Sequence, residues 1–96
     1  AARKLRNGIM EKTLTLKNET GLHARPAGLL AKAAASYGCK VQLRAGDALV
    51  NAKSVMSVMS LGLEKGAEIT VITEGADEQV ALERLSSLIE NELANI

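Results

Sequence analysis

From Met10 to Lys17 the chain alternates, with Leu14 and Leu16 on one side and Thr13 and Thr15 on the other, the period of a half-buried strand. After a loop at Asn18 to Gly21, Leu29, Leu30, Ala33, Ala34 and Tyr37 return on a 3.6-residue period, predicting a helix from about Ala24 to Ser36 that Gly38 stops. Val41, Leu43 and Ala45 alternate again, and Gly46-Asp47 offers a turn into a short strand, Ala48 to Ala52. Ser54 precedes the apolar run Val55, Met56, Val58, Met59 and Leu61, predicting a two-turn helix closed by Gly62. Residues 67–73 read as a strand; Leu82, Leu85, Ile89 and Leu93 then keep helical spacing, with Asp77 as the expected N-cap. The order is βαββαβα. Strands with one apolar face and helices with one apolar stripe predict an open sheet covered on a single side.

Composition narrows the function. The 96 residues suffice for one core, which must be aliphatic: Phe and Trp are absent and Tyr37 is the only aromatic residue. Readers of nucleic acid that stack bases on aromatic platforms are thereby disfavoured. Net charge is +1, but Arg3, Lys4 and Arg6 supply the excess, and the remainder is mildly acidic, so no direct nucleic-acid partner is expected. One cysteine, Cys39, forms no internal disulfide, and one His with one Cys does not build a metal site, so neither metal nor cofactor is predicted and a reducing, cytoplasmic location is expected. No apolar run is long enough to insert in a membrane. Residues 1–9 lack both a signal-peptide core and any apolar pattern, and are expected to be a disordered tail or an expression remnant ahead of a single domain at 10–96.

The candidate chemistry lies in GLHARPAG, residues 21–28, which holds the only His and the only Pro. His23 falls at the predicted N-cap, and Ala24, Arg25 and Pro26 form the first turn. Pro is tolerated there because the first N–H groups have no intrahelical partner to lose. Those N–H groups and the positive helix end favour an anion beside the imidazole, and Arg25 adds charge-assisted contacts to phosphate oxygens. A neutral imidazole nitrogen is nucleophilic near neutrality, and the phosphoramidate it forms can pass its phosphoryl group onward. Nucleotide, hydrolase and zinc motifs are absent from the sequence.

GLHARPAG, followed about thirty residues later by AKSVMSVMSLGLEKGAEITV, resembles the histidine-containing phosphocarrier (HPr) family of the bacterial sugar phosphotransferase system, over essentially Met10 to the C-terminus. The resemblance implies an α+β open-faced sandwich, a four-stranded antiparallel sheet with three helices on one face. It implies that His23 takes phosphate from enzyme I and gives it to enzyme IIA domains, with Arg25 as electrostatic partner, as a stoichiometric carrier and not an enzyme. It further implies that Ser54 is a regulatory phosphorylation site for HPr kinase/phosphorylase, the modified form acting with catabolite control protein A. A paralogue in bacilli keeps the serine without the histidine, so His23 favours the sugar carrier.

Plainer readings stand beside these. Ser54 is fully explained as an N-cap. Arg25 is an ordinary first-turn residue except that its charge opposes the helix dipole, which favours a ligand role. Met56 and Met59 suit a core, but a two-turn helix this apolar cannot bury every such side chain, and flexible thioethers suit a docking patch, here assigned to Ala24, Met56 and Met59. The rival from another class is a regulatory module acting through phospho-Ser54 with His23 idle. A carrier of a nitrogen-related phosphorelay is a third reading, against which KSVMSVMSLG speaks.

Overall fold

Strands β1 (Arg3–Arg6) and β2 (Ile9–Thr15) lead into helix α1 (Ala24–Ala35), followed by β3 (Lys40–Ala45), β4 (Ala48–Asn51), α2 (Val55–Met59), β5 (Glu68–Glu74) and α3 (Glu78–Ser87), with a π-helical turn at Leu88–Glu92. The computed structural model describes residues 2–6, 8–19 and 21–93; residues 1, 7 and 20 and the last three positions of the predicted domain, 94–96, lie outside the described residues.

The sheet is antiparallel throughout, in the order β1-β2-β5-β3-β4. Register puts Leu14 opposite Ile69, and Leu43 opposite both Val71 and Val50, so one face collects the branched aliphatic residues. Leu30, Ala34, Val58, Leu82, Leu85 and Ile89 bury against it as one cluster. Thr13 and Thr70 share a hydrogen bond of 2.8 Å across the uncovered face. The expected open-faced sandwich is therefore the observed fold, with three helices and one strand more than the four expected.

That extra strand corrects the reading of the N-terminus. Arg3–Arg6, expected to be disordered, pair antiparallel with β2. All four residues are exposed, and hydrophobic patterning gives no sign of a strand held first by its ladder. A second hold is ionic: one oxygen of the largely buried Glu11 accepts from Arg3 at 2.9 Å, while the other faces Arg44 of β3 at 3.4 Å. Basic residues along an outer edge also discourage pairing with further strands.

The last helix departs from a single 3.6-residue repeat. In the π-helical turn, the Leu93 N–H bonds to the Leu88 carbonyl, and this wider turn lets Leu88, Ile89 and Leu93 all bury. Arg84 ties α3 to the turn through two bonds to Glu92, 2.6 and 3.3 Å. Asp77 does occupy the N-cap position of α3, but its carboxylate makes no cap bond there. It accepts instead from the Gly38 N–H at 3.1 Å, joining the start of α3 to the entry of β3.

Candidate functional site

His23 sits where the pattern placed it, as N-cap of α1 with extended backbone (ψ −172°), and its carbonyl accepts the Ala27 N–H at 2.9 Å, closing the first turn. Its side chain is exposed and makes no cap bond. Most N-caps spend their side chain on the N–H groups of the first turn; here the imidazole is free and those groups stay available, with no acidic side chain in the turn to take them. Ala24 and Arg25 follow as exposed first-turn residues, while Pro26 and Ala27 are buried and fix the helix end to the core.

The segment ahead of His23 is held more tightly than its loop-like sequence suggests. Gly21 adopts φ +63°, and a Cβ there would lie 2.7 Å from Glu64 Cα and overlap the Leu63 carbonyl, so both backbone angle and space demand glycine. The Leu22 N–H donates to the Leu63 carbonyl at 3.0 Å. Leu63 and Glu64 lie just beyond α2, and α2 packs against α1. The entry to the histidine is thus built on the exit of the second helix. Asn18, expected only to be a loop residue, is completely buried and donates its side-chain amide to the Gly21 carbonyl. An Asn three residues before a Gly reads as a turn in sequence, and nothing in the local pattern marks it for burial.

Ser54 is the N-cap of α2, its hydroxyl accepting the Ser57 N–H at 3.2 Å. The helix is shorter than two full turns: it ends at Met59 with Ser60 as C-cap, and the Gly62 N–H returns to the Met59 carbonyl at 3.0 Å. Of its apolar residues only Val58 is buried. Val55, Met56 and Met59 are exposed, Met56 at 75%, so the thioethers lie on the surface beside the helix that carries His23.

Cys39 is buried beside Gly75, and burial, with a hydrogen bond to Asp77, pushes its thiol up to about 11. A thiol so far from ionisation at neutral pH is a poor nucleophile and metal ligand. Among the described residues no three His, Cys, Asp or Glu side chains gather as a metal site, and no helix is long and apolar enough to cross a membrane. The chemistry available is one exposed imidazole at an anion-attracting helix end, with a guanidinium two residues on.

A family model described as the PTS HPr component phosphorylation site matches residues 10–91. Among solved structures, HPr-C-His from Thermoanaerobacter tengcongensis is 41% identical, with a TM-score of 0.83 over 86% of this chain and 93% of that one. The phosphocarrier protein HPr from Bacillus anthracis is 36% identical, with a TM-score of 0.82 over 86% of this chain and 99% of that one. The catabolite repression protein Crh of Bacillus subtilis is 41% identical, with a TM-score of 0.71 over 83% of this chain and 92% of that one. Matched by the family model over residues 10–91 and by solved HPr structures at 36–41% identity over most of its length, the chain belongs to the HPr family, the phosphocarriers of the phosphotransferase system.

Proposed function

We propose that His23 is the phosphoryl carrier atom site: it accepts phosphate from enzyme I and donates it to enzyme IIA domains, in the cytoplasm, as a protein consumed and regenerated in turn. The observation that carries this reading is the free imidazole at the α1 N-cap, which makes no cap bond and leaves the first-turn N–H groups unspent. On attack, an imidazole nitrogen forms the N–P bond as the donor's bond to phosphorus breaks, and the added oxygens meet the N–H groups and the positive end of a twelve-residue helix. Arg25, exposed in the same turn, neutralises part of the developing charge. Ala24 on α1, with the exposed Met56 and Met59 on the α2 packed against it, serve as the docking surface, apolar and adaptable enough to meet donor and acceptors in succession.

A pulse-chase experiment tests the reading. The chain charged by enzyme I and labelled phosphoenolpyruvate should lose its label to an isolated IIA domain, and His23→Ala should carry none. Label retained by the wild type in the presence of the acceptor would reject the carrier role.

A second reading has an observation of its own. Ser54 caps α2 with an oxygen to which phosphorylation would add three stronger acceptors at the same helix end, so its modification would leave the helix formed. That supports Ser54 as a regulatory site for HPr kinase/phosphorylase, with catabolite control protein A as the reader of the modified form, and it is compatible with His23 carrying phosphate in the unmodified form. A purely regulatory module, like the bacillar relative without the histidine, leaves the free imidazole unexplained. Kinase labelling lost in Ser54→Ala, and retained in His23→Ala, would establish this added role; its persistence in Ser54→Ala would remove it.

A further inference from the structure

The Gly21–Leu22 peptide group, one residue ahead of His23, is gripped from both sides. Its carbonyl accepts from the Asn18 side-chain Nδ2, and its N–H donates to Leu63. The turn that delivers the Asn18 side chain is closed by a further bond, from the Gly21 N–H to the Asn18 carbonyl at 3.1 Å. Orientation of the carboxamide is forced, because only its NH₂ end can face a carbonyl oxygen. Asn18 is completely buried, and its Oδ1 accepts no hydrogen bond among the described residues. Burying an amide with one end unsatisfied is destabilising relative to an apolar side chain of the same size. Packing alone therefore does not account for this residue, and the single bond it makes must supply something that leucine would not.

That bond fixes the rotation of one peptide plane. With Gly21 at φ +63°, the backbone here is free of a Cβ that would restrain it, so the plane between Gly21 and Leu22 depends on its hydrogen-bond partners. Downstream, His23 is extended and its carbonyl starts α1. A rotation of the Gly21–Leu22 plane would swing the imidazole relative to the N–H groups of the helix end, whose position is set separately by the buried Pro26 and Ala27.

We infer that Asn18 is a positioning residue for His23: through the Gly21 carbonyl it locks the peptide plane that aims the imidazole at the helix N-terminus. This rests on His23 being the phosphoryl acceptor, while the lock itself is a property of the resting protein. Asn18 touches neither donor nor phosphate, so its loss should lower the rate of the chemical step and leave docking alone. Misplacement of a reacting group by about 1 Å costs on the order of 100-fold in rate, and partial loosening costs less.

The test uses the full chain carrying Asn18→Leu, which keeps the branched outline and removes both polar ends, and Asn18→Asp, which keeps the shape but has no N–H to donate when ionised. Hydrogen exchange of the Leu22 amide reads the lock without any phosphorylation. It should accelerate by about 10-fold or more in both variants, while the Val71 and Leu43 amides of the sheet stay protected. Steady-state phosphorylation by enzyme I and phosphoenolpyruvate should show kcat reduced by about 10- to 100-fold, with KM for the carrier within about 2-fold of wild type. Asn18→Leu should melt at or above the wild-type temperature yet still transfer slowly, separating positioning from stability. Unchanged Leu22 exchange, or wild-type kcat in a folded Asn18→Leu protein, would overturn the inference. Wild-type protein that takes no label on His23 would instead defeat the carrier reading, and the exchange result would still decide whether the lock exists.

Discussion

Two helix N-termini, at His23 and at Ser54, are capped by residues with extended backbone, and they use their side chains in opposite ways. Ser54 spends its hydroxyl on the Ser57 N–H, and α2 is complete without anything else. His23 gives α1 only its carbonyl, and the imidazole points to no partner at the helix end. A satisfied cap is a structural device that a modification can alter, whereas an open cap leaves the first-turn N–H groups uncommitted. The difference teaches that a residue's place in the fold is less informative than whether its functional group is already committed.

The contrast is most easily broken at Gly21, where a side chain would collide with the backbone of Leu63 and Glu64. Gly21→Ala should destabilise the protein by at least about 2 kcal/mol, combining overpacking with a left-handed backbone angle, and lower Tm by about 8 °C or more. Gly62→Ala meets open space at a similar φ, +59°, and should cost only about 1 kcal/mol. Equal losses in a thermal melt would show that the close approach to Leu63 does not constrain the entry to His23.

Met56→Glu acts on the surface beside the caps. Because this side chain is 75% exposed, the fold should be unaffected. Binding to enzyme I, measured by titration calorimetry, should weaken by about 10- to 30-fold if the thioether is a docking anchor. An unfolded variant would place Met56 in the core instead.

The two caps themselves should respond unequally to alanine. Ser54→Ala removes a cap bond and should cost about 0.5–2 kcal/mol, while His23→Ala removes none and should change the stability by less than about 0.5 kcal/mol. Denaturant unfolding of both variants checks this, and a His23→Ala loss as large as that of Ser54→Ala would mean the imidazole caps the helix after all. Ser54→Asp should retain most of the cap and slow phosphorylation of His23 by a few-fold, with the deficit shrinking as salt screens the added charge.

On phosphoryl transfer the smallest effect should come from deletion of residues 1–8, which removes β1. That strand pairs with β2 alone, and its main ion pair is largely exposed at Arg3, so about 1 kcal/mol of stability and no transfer activity should be lost. A collapse of transfer in the truncated chain would tie the edge strand to the site.

Much of this arrangement was legible in the sequence wherever a local pattern determines local structure. Alternation set β2 and β3, Pro26 and Gly38 bracketed α1, and Ser54 announced α2. What the sequence concealed depends on residues far apart. Arg3–Arg6 have no apolar face and are a strand because β2 offers an edge and Glu11 a charge. Asp77 was recognisable as a cap, but its carboxylate turns to Gly38, thirty-nine positions away. Lys12, in an otherwise covered row, is explained by Glu90 of the π-helical turn at 3.5 Å. At the site, His23 and Arg25 stood out by type and position, whereas Asn18 looked like any turn-forming residue, although it is completely buried and holds the Gly21 carbonyl.

The central claim is that the open cap, and not the filled one, takes the phosphoryl group from phosphoenolpyruvate. It is tested most directly by incubating the chain with enzyme I and phosphoenolpyruvate, then locating the phosphate by phosphorus NMR and fragment mass spectrometry under conditions that preserve acid-labile bonds. The account predicts one phosphate per chain, lost in mild acid, on an imidazole nitrogen of His23, with Ser54 unmodified. An acid-stable phosphate on Ser54, or undiminished labelling of folded His23→Ala protein, would contradict it.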